Sequence, residues 1–419
     1  MPSAPRSAAE MDLNAIGSRD QAQALDAADP LSRFHEFYLP MADDVVAYLD
    51  GNSLGRPLAA IGQVWSDFAN RQWAGRLIRG WTEGWMELPE SVGNELASAA
   101  LGAAAGQTVI ADSTTVNFYK AVRAAINLRP GRSKVVIDRE NFPTNRYVVE
   151  SLVRDLGLET VWLSGSDPCD GISAADVLGC VDEDTAVVTL SHIAYRSGYL
   201  ADAEAITAAV HGVGAVVVWD LCHSVGAVPI ELDTWNVDFA VGCTYKFVGA
   251  GPGAPAFSYV NSRHHDQFDQ PIWGWLGRQN SFEMEQGYLP APGIRSMLSG
   301  TPAILGILAV REGAKVIAEA GIGAIRKKGM ALTDMALTLA DEWLVPAGFG
   351  IGSPRDPARR GGHLSITRAD SRQLCIELAA VGVIPDFRTP DAIRLGLSPL
   401  PITFTELWDA MALIRELSR

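Results

Sequence analysis

Residues 215–227 read AVVVWDLCHSVGA. Five apolar residues in a row, three of them valines, run straight into Asp220, with His223 three positions further on. An apolar run that does not alternate with polar residues suits a strand covered on both faces. An acid at the carboxyl end of such a strand lies where open α/β sheets bind their ligands. On this stretch alone Asp220 could equally cap a following helix.

The same pattern recurs on either side. TVIA (108–111), KVVID (134–138), TVWL (160–163), TAVVTL (185–190), FAVG (239–242) and AFSYV (256–260) are short β-branched runs separated by segments long enough for crossover helices. Strands alternating with helices at this scale predict an α/β domain with a mostly parallel sheet. Upstream, VVAYLD ends at Asp50 and enters the turn-rich GNSLGRP (51–57), and residues 58–105 are mostly helical in pattern, interrupted by the tryptophan-rich stretch from Trp65 to Trp85. Beyond Gly300 come about 40 helical residues, then HLSIT, VIPDFR and AIRLGLSP, closed by the helix TFTELWDAMALIRELSR. The expected division is an arm over 1–45, with residues 1–30 read as loose or as a poorly fixed helix, a large domain over 46–305 and a smaller α+β domain over 306–419.

Composition narrows the function. Of 419 residues, 48% are hydrophobic, and the net charge is −15. That acidity argues against a nucleic-acid grip and against docking on an anionic membrane. No apolar run reaches the roughly 18 residues of a membrane span. Five cysteines, an odd number with no C-x-x-C spacing, predict neither a metal site nor a disulfide framework, and fit reduced thiols in a cytoplasmic protein.

A second chemical feature follows Asp220 by 26 residues: CTYKFVGAGPGAPAF, in which Lys246 closes a strand and faces a glycine-proline loop. A strand-end lysine beside glycines is a candidate imine-former, although most lysines are simply exposed. Together, strand-end Asp220 and strand-end Lys246 have the layout of a pyridoxal phosphate (PLP) site, the acid holding a proton on the pyridine nitrogen and the lysine carrying the cofactor. A phosphate cradle is available at STTVNFYKAVRAAI (113–126), where Thr114 and Thr115 open a helix, although a plain N-cap reads equally well. Phe142, after the strand KVVID, is placed to lie over a ring.

These residues resemble the kynureninase family of PLP-dependent hydrolases, with the aspartate-aminotransferase-like fold. YLDGNSLGRP (48–57), DSTTVN (112–117), RENFPTNRY (139–147), DLCHSVGAVPIEL (220–232), VDFAVGCTYKFVGAGPGAPAF (237–257), GWLG (274–277), SGTPAI (299–304) and IRLGLSPL (393–400) carry the likeness, in order, over nearly the whole chain. It implies that Lys246 bonds to PLP, that Asp220 and His223 lie at its nitrogen edge, and that Phe142 stacks on it. Thr114, Thr115, Asn145 and Ser191 are implied as further cofactor contacts. Tyr245 is implied to bind the phosphate and move protons, Arg394 to clamp the substrate α-carboxylate, and Trp81 and Ser53 to line the substrate pocket. Trp275 and Thr301 match positions that reach the neighbouring subunit's site, so a homodimer with shared sites is expected.

The implied reaction is hydrolysis of L-kynurenine to anthranilate and L-alanine in tryptophan catabolism. Trp81, Gly300 and Thr301 match forms that prefer the unsubstituted ring. The alternatives are a ring-substituted kynurenine in a biosynthetic pathway, or another class V PLP enzyme such as a cysteine desulfurase. The latter needs a mobile nucleophilic cysteine, whereas Cys375 lies in the helical pattern QLCIELAA. Three positions depart from the family: Asn145 stands where aspartate is common, Cys222 where a smaller residue is usual, and Arg278 where histidine is usual.

Overall fold

A computed structural model describes residues 17–165, 169 and 171–419. The arm expected over 1–45 therefore lies partly outside the described residues. Its described part is not loose. Ser18 caps a helix over Arg19–Ala28 through a reciprocal capping box with Gln21. This helix packs on the last helix, Phe404–Leu417, where Arg19 pairs with Asp409 at 2.7 Å. Asp26 accepts hydrogen bonds from the Phe404 and Thr405 amides, placing a carboxylate on that helix's positive end.

The large sheet has seven strands: β1 (Thr108–Ile110), β2 (Lys134–Asp138), β3 (Glu159–Leu163), β4 (Thr185–Ser191), β5 (Val216–Asp220), β6 (Phe239–Gly242) and β7 (Phe257–Val260). Their order across the sheet is β1-β7-β6-β5-β4-β2-β3. Pairings from β3 through β6 are parallel, and β7 is antiparallel to both β6 and β1. Two reversals restore direction, so β1 runs with β6, and the carboxyl ends of β1 to β6 share one edge.

Burial on both faces accounts for the unbroken apolar runs. Val136, Val188, Val217, Trp219 and Ala240 pack into one cluster with the helices Leu88–Ala100 and Ile304–Ala320. Val135, Ile137, Val187, Val216, Val218 and Val241, their alternating neighbours, join the opposite cluster with the helices Thr114–Asn127 and Pro143–Leu156.

A third apolar cluster belongs to the small four-stranded antiparallel sheet, ordered Asp386–Arg388, Ala392–Gly396, His363–Thr367, Gly350–Ile351. The clusters do not divide at residue 305. Helix Ile304–Ala320 packs into the large core, while Ala22, Ala47 and Leu49 pack into the small one. The short strand expected to run to Asp50 is confined to Ala47–Tyr48, which pairs in parallel with Val383–Ile384.

At the amino edge of the sheet, away from the site, Asp238 is buried and holds His211 at 2.8 Å, His264 at 2.7 Å, Arg263 and the Val217 amide. Burial alone would raise its pKa, but hydrogen bonds from the two histidines hold the carboxyl well below its ordinary value. Stability from a depressed carboxyl is present above its unfolded pKa of about 4 and is lost as pH falls toward the folded value. Asp238→Asn should lower stability by about 3–5 kcal/mol near neutrality, because Arg263 loses its buried counter-charge and the histidines lose an ionised hydrogen-bond partner. The gap from wild type, read by thermal unfolding, should narrow as pH drops below about 4.

Candidate active site

The carboxyl edge gathers the polar residues. Asp220 ends β5, the middle strand of the seven, and is nearly buried. One carboxylate oxygen accepts from the Cys222 amide at 2.8 Å and the other from Asn145 Nδ2 at 2.8 Å. The same Asn145 amide donates to Asn141 Oδ1 at 3.0 Å, and Asn141 donates to Asp138 Oδ2 at 2.7 Å. Ser191, at the end of β4, hydrogen-bonds Asn141 at 3.3 Å. Burial pushes the Asp138 carboxyl up to about 6. At Asn145, where the sequence departs from the family, a neutral donor thus meets Asp220 and, through Asn141, connects to Asp138; a carboxylate there would face Asp220 with like charge.

Lys246 follows β6, with Nζ 3.1 Å from His223 Nε2. Burial first, then the charges of Lys246 and Arg394, hold the His223 imidazole well below its ordinary pKa. It is neutral, and in the tautomer protonated on Nδ1 it accepts from the lysine. Tyr245 is half-buried, and burial and its neighbour Cys243 raise its phenol well above the usual value, so it holds its proton.

The helix Thr114–Asn127 begins at the same edge, with Ser113 as its cap and Thr114 and Thr115 as its first residues. Asn117 ties back to the Ala111 carbonyl at 2.8 Å, and Lys120 fixes the preceding loop through Asp112 at 2.6 Å. Thr114 Oγ1 lies 4.0 Å from Cys222 Sγ, which brings the helix start against the Asp220 segment. Phe142 keeps 39% of its surface exposed and meets Tyr195 edge-on at 5.4 Å.

Arg394 comes from the small sheet and is 1% exposed. Nη1 donates to the Tyr195 carbonyl at 2.6 Å, and Nη2 donates to Ser53 Oγ at 2.7 Å and to Asp386. Burial, then Arg388, lowers its pKa to about 10, which leaves it charged at neutral pH. The GNSLG loop joins the two bodies: the Gly55 amide donates to the Tyr245 carbonyl at 2.8 Å, and Gly396 N donates to the Leu49 carbonyl at 2.6 Å.

Three expected residues lie apart from this group. Trp81 and Thr301 share an apolar groove of ≈ 490 Å³ with Phe68, Trp73, Leu77 and Ile78, and none of its lining residues belongs to the Lys246–Asp220–Arg394 set. Trp275 packs edge-on against Phe282 at 5.7 Å. The Arg278 guanidinium is consumed inside its own loop by Glu285, the Gly287 carbonyl and the Gln279 carbonyl. Cys375 is pushed up to about 12, by burial and then by Asp386 and Asp50, which is the opposite of an activated thiol.

Asp138, Asn141, Asp386, Arg388 and Tyr195 were not legible as site residues. Asn141 and Asp138 sit in RENFPTNRY and KVVID and carried a signal, since two amides follow a strand-end acid. Asp386 and Arg388 become visible only through the antiparallel register that sets Asp386 opposite Arg394.

The donor set fits a phosphorylated pyridine aldehyde: a carboxylate for the ring nitrogen, an open aromatic face, a primary amine, and hydroxyls at a helix N-terminus. The solved structures agree in fold. An apo cysteine desulfurase from Thermococcus onnurineus NA1 superposes with a TM-score of 0.80 at 16% identity, covering 92% of this chain and 97% of that one. A C-DES variant with glycine covalently linked to its PLP cofactor gives 0.77 at 15%, covering 88% and 96%. The family model for class-V aminotransferases matches residues 93–348. Fold and site thus define a pyridoxal phosphate enzyme.

The kynureninase C-terminal domain matches residues 325–414. Kynureninase from Pseudomonas fluorescens is 38% identical over 407 residues, 96% of this chain and 95% of that protein. Kynureninase from Deinococcus radiodurans is 39% identical over 399 residues, 94% of each. The chain belongs to the kynureninase family, whose members are hydrolases acting on carbon–carbon bonds.

Gly55 tests the joint between loop and site. A Cβ there would stand 2.2 Å from the Lys246 carbonyl oxygen and 2.9 Å from Gly249 Cα, both backbone atoms that cannot swing away. Gly55→Ala should cost about 1–3 kcal/mol of stability by overpacking. It should also weaken PLP retention by displacing Lys246, as read by cofactor absorbance after dialysis.

Proposed function

We propose that this chain hydrolyses L-kynurenine to anthranilate and L-alanine, with Lys246 and Tyr245 as its proton-moving residues. The observation that carries the reading is convergence on one loop: the Gly55 amide donates to the Tyr245 carbonyl, next to Lys246, at 2.8 Å, and Ser53 Oγ accepts from Arg394 Nη2 at 2.7 Å. An amine and a carboxylate clamp facing one space suit an α-amino acid substrate.

PLP supplies an electron sink for the bonds at the substrate Cα. Asp220 would hold a proton on the ring nitrogen, with Asn145 orienting the carboxylate. Phe142 would cover the ring face, and Thr114 and Thr115 would donate to the phosphate at a helix N-terminus. Ser191, through Asn141, steadies the same edge. Lys246 takes the Cα proton, with neutral His223 beside it as a hydrogen-bond partner at 3.1 Å. Tyr245, held protonated by burial, is suited to give a proton during Cβ–Cγ cleavage once water has added to the γ-carbonyl. Arg394, oriented by Ser53 and the Tyr195 carbonyl, holds the α-carboxylate.

Unsubstituted kynurenine is the preferred ring in this reading. Trp81 offers an indole without a strong partner for an added hydroxyl, and Arg278 spends its donors within its own loop. Apolar pockets reject an added hydroxyl weakly, so kcat/KM should favour kynurenine over 3-hydroxykynurenine by about 10–100-fold. Anthranilate fluorescence with stoichiometric alanine release is the measurement. A tenfold preference for the hydroxylated substrate would transfer the enzyme to a biosynthetic role, and release of alanine without an anthranilate-type product would end the reading. Tryptophan catabolism in the cytoplasm is the setting proposed, in keeping with sparse cysteines and a reducing compartment.

The working unit in this proposal is a homodimer, without nucleic-acid or membrane partners. Among the described residues no helix is long and apolar enough to cross a membrane. Trp73, Leu77 and Ile78 expose large apolar side chains beside Trp81 and Thr301, a patch that favours a protein partner. If Trp81, Trp275 and Thr301 complete the partner's site, mixing inactive Lys246→Ala with inactive Trp275→Ala should restore activity to about a quarter of wild type, the share of sites with both groups intact under random C2 pairing. No recovery from verified heterodimers would contradict site sharing.

A further inference from the structure

The pocket around Arg394 holds more charge than a carboxylate clamp needs. Asp386 stands opposite Arg394 in register, accepts its Nη2, and takes Arg388 Nη2 at 2.8 Å through the same oxygen. Asp386 is thus doubly held. Asp50 is not: its Oδ1 lies 4.0 Å from Arg394 Nη2, beyond hydrogen-bond reach, and is buried without a hydrogen-bond partner.

The titratable and charged groups facing Asp50 are Tyr48 on its own segment, Asp386 and Arg388 on one strand, Arg394 on the next, and Cys375 on the helix Ser371–Ala380. Tyr48 already carries its proton, raised by burial and Asp50, and donates it to the Leu54 carbonyl at 2.9 Å. Cys375 likewise stays a thiol. Two arginines against two carboxylates leave the free pocket neutral. A substrate carboxylate brought to Arg394 makes three anions against two cations in a partly buried space, where like charges repel more strongly than in bulk water.

We infer that Asp50 takes up a proton when the substrate carboxylate binds, which makes it the residue that keeps the carboxylate pocket electrically balanced. This rests on the reading of Arg394 as the clamp. Asp50 rather than Asp386 accepts the proton, because Asp386 is fixed by two guanidiniums and Asp50 by none. Burial, then the charge of Asp386, already lifts the Asp50 carboxyl to about 6. An added anion lifts it further, so affinity for a carboxylate ligand falls as pH rises above about 6, by at most tenfold per pH unit for one proton.

The probe is 3-(2-aminobenzoyl)propionate, the substrate without its α-amine, bound to holoenzyme. Calorimetry at about pH 7 in phosphate and in Tris separates proton uptake from binding heat, and uptake approaching one proton is expected. The corresponding carboxamide should bind without uptake. Asp50→Asn should bind the acid with no uptake and with an affinity flat in pH, and Asp50→Glu should restore both. Equal uptake by Asp50→Asn would overturn the inference. So would a wild-type affinity that does not change with pH, a measurement that stands even if the variant fails to fold. Arg394→Ala separates the two readings: unchanged affinity there rejects the clamp itself, whereas lost affinity with undiminished uptake in Asp50→Asn rejects Asp50 alone.

Discussion

A sheet covered on both faces can present polar chemistry only where its strands end. Val135 through Ile137 and Val216 through Trp219 have no face turned to water, so the first positions free to carry a charge are Asp138 and Asp220. The parallel run from β3 to β6, and the double reversal that brings β1 into line, put the carboxyl ends of six strands on one edge. Asp220, Ser191, Lys246 and the start of the helix at Thr114 are neighbours for that reason, although the sequence spreads them over more than a hundred residues. The site follows from the layer arrangement before any side-chain preference is considered.

The second constraint is the joining of two bodies. Arg394 reaches the edge from a separate antiparallel sheet, and its position depends on the loop after Asp50. Gly55 lies against the Lys246 backbone, Asp50 bridges to Gly396, and Ser53 accepts from Arg394. One short loop thus touches the lysine of one body and the arginine of the other. A change in this loop is felt at both residues, and Asp50 belongs to the same joint.

The strands of the large sheet were legible because burial on two faces leaves unbroken apolar runs. KVVID and FAVG begin and end where the sequence places them. The strand-end positions of Asp220 and Lys246 were legible for the same reason. The amino-terminal helix was legible only as a poorly fixed one, because what fixes it is the docking of Asp26 and Arg19 on a helix almost four hundred residues away. The break in the helical stretch after residue 58 was legible at the tryptophan-rich segment Trp65–Trp85, but not its form, a wide turn over Phe68–Trp73 and a tight one over Leu77–Trp81, since apolar periodicity does not record turn width. Asp386 was illegible as a partner for Arg394 because cross-strand register depends on the turn between the strands. The groove shared by Trp81 and Thr301 is likewise a product of the tertiary fold.

The central claim is that Lys246, delivered to this edge by β6, carries the cofactor. Reduction of the holoenzyme with borohydride followed by peptide mapping tests it most directly. The account requires the pyridoxyl group on the peptide containing Lys246, with none on Lys120 or any other lysine. A label on a different lysine, or full turnover by Lys246→Ala with the cofactor still covalently held, would contradict it.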